Sequence, residues 1–292
     1  MEWAKAKTIL IVVFLAINIF LGYRIIAAST GSIGYVDSDK IKLVTNYLAE
    51  KNINIKGQVP AKKIDMPSIT VKYKLFNKED IAKRFFSPNE TVVESEEGSI
   101  VKLRGKDIEF SIKESRELCY TDNSIRPAAA IDDKVCRKNI TEFLGRLGMK
   151  DSADSGVVEE TEGYKRFVYG QSYKGAAIYN SVMEFYVNDA GIYKANIVWF
   201  ETIRQAGKKT DVVSPVIPLL YLREYYKNNF AGGIEVLEIQ QGYYFGTGAG
   251  GKVDVSKVEE GTAFPVWEIV TDKDIIYINA YNEKVEGITK RQ

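Results

Sequence analysis

The first 28 residues constrain this chain more than any other stretch. Residues 8–23 contain no charged side chain, and a short basic start with Lys5 and Lys7 precedes them. As a helix this run would span roughly 24 Å, at about 1.5 Å per residue. The hydrocarbon core of a bilayer is about 30 Å thick. If Arg24 carries its charge outward along its aliphatic stem, the helix extends through residue 28 and closes the gap. Trp3 and Tyr23 bracket the run at the positions where aromatic rings sit in membrane interfaces. The sequence Ala27-Ala28-Ser29 offers small residues for a signal-peptide cleavage site. The apolar run is long for a signal peptide, however, and Arg24 separates it from that site. An uncleaved anchor is the better reading. Lys5, Lys7 and the terminal amine outnumber Arg24, which predicts a cytoplasmic N-terminus and an exported remainder.

Within the run, Asn18 is the one strongly polar side chain, with Gly22 one helical turn later. In lipid an Asn seeks an interhelical hydrogen bond, and a Gly on the same face lets another helix approach closely. Asn18 and Gly22 are therefore the candidate contacts to a partner helix; the alternative is that Asn18 is tolerated in a lone anchor.

The other residues read as globular. A length of 292 residues suggests about two domains. Net charge is +1, and residues 1–24 hold Lys5, Lys7 and Arg24 against Glu2, which leaves the remainder near −1. That argues against nucleic acid as a partner. There is no His, which excludes Ser-His-Asp and Cys-His nucleophiles and every His-containing metal site. No cofactor or metal is expected. Cys119 and Cys136 are the only cysteines. In an exported domain they could form one disulfide, or Cys136 could serve as a small apolar residue on the buried face of a helix.

Periodicity predicts an α+β fold. Helices are expected near residues 38–52, 78–86, 132–148 and 215–230, and strands fill most of the space between them. A turn-rich stretch at residues 122–130 marks a boundary. The expected organisation is a cytoplasmic start (1–7), an anchor (8–28), a linker (29–35) and two exported α+β units (36–123 and 124–292). Each unit would be a mainly antiparallel sheet with a covering helix. Residues 151–163 read as an acidic mobile loop.

Several motifs suggest chemistry. Residues 246–251 match G-x-G-x-x-G, but an alternating stretch follows where a dinucleotide site needs a helix, so a loop is favoured. Carboxylates cluster at Glu94, Glu96 and Glu97, at Glu159, Glu160 and Glu162, and at Glu259 and Glu260, where a groove could use two of them for glycan hydrolysis. A solvated surface is the default for such clusters. Asp151, Ser155, Gly156 and Glu162 fall at positions of a calcium loop, yet Ala153 interrupts the ligands and a strand follows. Tyr221, Tyr225, Tyr226 and Phe230 could stack on a sugar or peptide, although their spacing suits a core-facing helix better.

The N-terminal residues Glu2-Trp3-Ala4-Lys5-Ala6-Lys7-Thr8-Ile9, with Phe14-Leu15 and Asn18-Ile19-Phe20-Leu21, resemble the start of YycI (WalI) proteins. Ala263-Phe264-Pro265-Val266-Trp267-Glu268-Ile269 and Tyr277-Ile278-Asn279-Ala280 resemble that family's closing strands, and also strands of PepSY-like modules. Where the family usually has Asp-Trp-Ser, this chain has Glu2-Trp3-Ala4. The resemblance implies a non-enzymatic membrane-anchored accessory regulator of the WalK/WalR (YycG/YycF) two-component system, which controls cell-wall metabolism. It implies helix contacts with the sensor kinase and with a YycH-like protein. The alternative from the residues alone is an exported protein that binds or hydrolyses wall glycan or peptide through surface carboxylates.

Overall fold

A computed structural model describes residues 33–128, 132–149, 156–161, 163–227, 232–246 and 259–291. The anchor, with Trp3, Lys5, Lys7, Asn18, Gly22, Tyr23 and Arg24, lies outside the described residues, as do most of the glycine-rich segment and residues 151–155. Among the described residues no helix is long and apolar enough to cross a membrane. The architecture is α+β, with four helices and a large, mostly antiparallel sheet among the described residues.

Two compact units are present, and neither is a continuous stretch of chain. One holds the described residues up to Ser68, those within 207–240 and those from Trp267 onward; the other holds 69–206 and those within 241–266. The boundary expected between residues 123 and 124 falls inside the second unit. The reason is pairing. Strand β8 (Glu117–Asp122), before that boundary, is hydrogen-bonded to β12 (Gly191–Val198), after it.

The second unit is built on a ladder of antiparallel strands. β5 (Val93–Glu97), β6 (Ile100–Arg104) and β7 (Ile108–Lys113) lead to β8 and β12. Beyond them lie β11 (Ala176–Asn188), β10 (Tyr164–Tyr173) and β9 (Val157–Thr161). Apolar side chains alternate along these strands, so one face is apolar. Met183, Phe185 and Val187 on β11 share that face with Ala195 and Ile197 on β12 and Leu118 and Tyr120 on β8. Helices α2 (Lys78–Phe85) and α3 (Asp133–Leu147) cover it. On α3, Cys136, Ile140, Phe143, Leu144 and Leu147 recur at helical spacing and are buried. Asp132 caps its start by accepting the Lys134 N–H at 2.7 Å. Gly148 ends it at φ 74°, the left-handed position that lets the Met149 N–H reach back to the Leu144 carbonyl at 2.8 Å. The two helices meet at their C-terminal ends. Arg84 donates to the Arg146 carbonyl at 2.9 Å, Arg146 donates to the Arg84 carbonyl at 2.6 Å, and the Arg146 guanidinium lies 4.1 Å from the Phe85 ring centre. Phe85, Phe110 and Phe143 form edge-on pairs at 4.8 and 5.2 Å, worth about 0.5–1.5 kcal/mol each beyond burial. β4 (Ile69–Tyr73) pairs with β13 (Phe200–Gln205) and with the first residues of β15 (Glu260–Thr271).

In the first unit, helices α1 (Ser38–Ala49) and α4 (Val216–Tyr226) pack together over a sheet in the order β2 (Ile53–Ile55), β14 (Ile234–Tyr244), β15, β16 (Asp274–Asn279), β17 (Val285–Lys290). Val44 and Leu48 of α1, Leu219 and Leu222 of α4, and Trp267, Ile269, Ile276 and Ile278 of the sheet make its core. Trp267 is fully buried and its indole N–H donates to the Val213 carbonyl at 3.0 Å, which satisfies the ring's one polar atom. Apart from this sheet, β1 (Ile33–Tyr35) and β3 (Lys62–Ile64) form a two-stranded antiparallel ribbon.

Candidate functional site

The second unit carries an open cleft of about 650 Å³. Three turns build it. One is the start of α2, capped by Asn77, whose side chain accepts the Asp80 N–H at 3.0 Å. Another is the β5–β6 turn at Gly98 and Ser99, and the third is the β7–β8 turn at Glu114 and Ser115. Phe76, Val101 and Ile112 line the cleft among charged side chains.

The β7–β8 turn is under backbone strain. Glu114 and Ser115 have φ of 51° and 57°, a left-handed pair that hairpin turns normally fill with Asn-Gly. Surrounding bonds hold it there. The Phe76 N–H donates to the Ser115 carbonyl at 2.7 Å, and the Glu114 N–H donates to the Ser99 carbonyl at 2.9 Å. The turn brings the Glu114 carboxylate onto the guanidinium of Arg116, which is 5 % exposed. That guanidinium also lies 5.0 Å from the ring centre of Tyr73, whose hydroxyl burial pushes up to about 12. On the opposite rim, Lys78 is ion-paired to Glu94 and to Glu96, the latter at 3.3 Å, and its hydrogen bond to Glu94 raises the ammonium above its ordinary value. These charges are matched in pairs within the protein. The cleft therefore presents the apolar side chains of Phe76, Val101 and Ile112 between charged rims in which Arg116 and Lys78 are ion-paired, with Glu79 and Glu259 also on its lining.

The carboxylate clusters do not converge. Glu97 pairs with Lys102 at 2.9 Å on the same hairpin, and β5 is exposed throughout. Residues 157–161, expected within a loop, form β9, because they pair along β10, with Val158 opposite Phe167, Glu159 opposite Arg166 and Glu160 opposite Lys165. Glu159 pairs with Arg166 and Glu160 with Lys165. Glu260 pairs with Arg204 across the chain, and Glu259 lines the cleft. Glu162 lies outside the described residues. No group of three or more acidic or Cys side chains able to hold a metal ion occurs among the described residues.

The two cysteines are free thiols. Leu118 and Tyr120 of β8 point into the core that contains Cys136, so Cys119 between them faces the opposite side of the sheet, beside Asn196 and Ser111. The pairing considered from sequence is not made, because the sheet separates the two side chains. Burial pushes the Cys136 thiol up to about 11. On α4, Tyr226 is buried and donates to Asp274 at 2.9 Å, while Tyr221 and Tyr225 stack on each other at 6.0 Å. This tyrosine group is packing; Phe230 lies outside the described residues.

Two polar arrangements carried no sequence motif. On the outer face of the second sheet, Arg166 bridges Glu159 and Glu184, and Glu184 also accepts from Asn196 at 3.0 Å. Burial pushes the Glu184 carboxyl up, but the Asn196 and Arg166 hydrogen bonds outweigh it and hold the group below its ordinary value. In the first unit, burial pushes the Glu268 carboxyl up to about 7 despite a Tyr277 hydrogen bond, with Glu238 adding repulsion. Strand alternation marks Arg166 and Glu268 as side chains on the face away from the helices. Only the register shows what they meet.

The fold is two α+β units, each assembled from separated stretches of the chain. The family model described as YycI protein matches residues 36–281, so the chain belongs to the YycI family. No match was found among curated proteins. Among solved structures, an uncharacterized protein from Eubacterium rectale is similar at 12% identity and TM-score 0.49, over 89% of this chain and 94% of that one. The Bacillus megaterium YpeB C-terminal domain is similar at 13% identity and TM-score 0.36, over 75% of this chain and 99% of that one. At these scores neither neighbour establishes a shared fold.

Proposed function

We propose that this chain is a non-enzymatic accessory regulator of a WalK-type sensor histidine kinase in the two-component system controlling cell-wall metabolism. Family membership over residues 36–281 is the observation that carries the reading, and it is consistent with an accessory regulatory role. In this proposal residues 8–28 form a single-pass anchor in the cell membrane, with the N-terminus cytoplasmic and the remainder outside. Lys5 and Lys7 set its direction, Trp3, Tyr23 and Arg24 hold its ends, and Asn18 with Gly22 meets the helices of the kinase and of a YycH-like partner.

The competing reading, an exported glycan- or peptide-acting protein, needs carboxylates gathered in a groove. Glu94, Glu96, Glu97, Glu159 and Glu160 are instead tied to Lys or Arg neighbours. A membrane two-hybrid assay with the kinase separates the two. The regulator reading predicts an interaction that Asn18→Leu weakens, and an absence of any interaction for the full chain would contradict it.

A further inference from the structure

We propose that the outward face of the β1–β3 ribbon lies on the membrane surface and binds anionic lipid headgroups. The proposal rests on the anchor reading of residues 8–28. In the ribbon, Ile33 pairs with Ile64, Gly34 with Lys63 and Tyr35 with Lys62, so Tyr35, Lys62 and Ile64 share one face. The opposite face belongs to the protein: Lys63 is bonded to Asp211 and donates to the Val212 carbonyl at 2.6 Å. On the outward face Tyr35 is 77% and Ile64 51% exposed, with the Lys62 ammonium 5.6 Å from the Tyr35 ring centre. A two-stranded ribbon three residues long is marginal by itself. Two large apolar side chains on its solvent side call for a cover.

Chain length and charge identify that cover. Four residues, 29–32, separate the end of the apolar run from Ile33. At about 3.3–3.6 Å per residue they keep Ile33 within roughly 18 Å of residue 28, close to a headgroup layer about 5–8 Å thick. Tyr is the residue type that settles at this depth, ring in the acyl boundary and hydroxyl in water. Of the lysines in residues 33–64, Lys42, Lys56 and Lys63 are paired to Asp39, Glu235 and Asp211, and Lys62 is the ribbon lysine on the outward face beside Tyr35 and Ile64. A lysine next to a span is drawn to anionic lipid.

The test uses the full chain with Cys119→Ser, reconstituted in phosphatidylglycerol–phosphatidylcholine vesicles. Buried Cys136 stays unlabelled. A single environment-sensitive fluorophore is placed by Tyr35→Cys, by Ile64→Cys, or by Val93→Cys, a position 60% exposed in the second unit. The expected result is a blue shift, with quenching by headgroup spin-labelled lipid, for labels at 35 and 64 but not at 93. Labels at 35 and 64 that remain as aqueous as at 93, in chains that float with the vesicles, would overturn the docking and leave the anchor intact. A shift that appears only when the kinase is added would overturn it in favour of a protein cover. Failure to float would overturn the anchor itself, and the docking with it.

Discussion

Glu114 and Ser115 hold left-handed backbone that neither residue favours, at a cost of about 1–2 kcal/mol per residue. The return is an ion pair with Arg116 at 5% exposure. Ser115→Gly should relieve the strain and raise stability by about 1 kcal/mol. Glu114→Ala should lower stability by roughly 3 kcal/mol, since it takes the facing carboxylate from a buried charge. Denaturant midpoints of the two variants check both. Glu268 gives a pH signature. Its folded-state value of about 7 lies above its ordinary value of 4.5, so the folded chain binds the extra proton between them. Stability from this site is present below 4.5, declines as pH rises through about 7, and stays lost above it. Glu268→Gln should flatten that decline and be more stable than the parent at pH 8 by about 1–2 kcal/mol, allowing for solvent screening. Equal slopes of unfolding midpoint against pH in the two chains would contradict the assignment. For the cysteines, native labelling should modify Cys119 alone, and Cys136 only after unfolding; two protected thiols that reduction exposes would show a disulfide instead.

At the scale of elements, α4 and the β15–β16 hairpin are joined by one polar knot. Tyr226 donates to Asp274, Thr271 lies 3.0 Å from the same hydroxyl, and Lys290 pairs with Asp274 at 2.7 Å. Tyr226→Phe should cost about 1–2 kcal/mol by leaving a buried carboxylate short of a donor, read as a lower midpoint for the whole chain. The long elements were legible in the sequence because their apolar periods are long: α3 with its Asp132 cap and Gly148 stop, and β10 to β12 with clear alternation. The ribbon strands β1 and β3 and the short β2 were missed. Three residues carry no period, and their pairing comes from partners far along the chain. β9 was hidden for a related reason. Its polar positions, Glu159 and Glu160, looked like loop residues until Arg166 and Lys165 stood opposite them.

For the molecule as a whole, a serial division into two units followed from reading helix-then-strands twice. The chain instead leaves the first unit at residue 68, builds most of the second with β4 to β13, returns over residues 207–240, and crosses once more over 241–266 before ending in the first unit. Helix α3, sited just after the expected boundary, covers strands on both sides of it, so its apolar face could not tell which strands it would meet. The candidate cleft was illegible because its turns meet through tertiary backbone bonds, Phe76 N–H to the Ser115 carbonyl and Glu114 N–H to the Ser99 carbonyl, that no local pattern announces. The proposed work of the protein rests on residues 8–28. The most direct measurement is membrane two-hybrid binding to the kinase by the full chain, by Asn18→Leu, and by a chain with residues 8–28 replaced by an unrelated span. Binding by the full chain, weakened by Asn18→Leu and abolished by the replacement, is the predicted result. Undiminished binding by the chain with the unrelated span would contradict it.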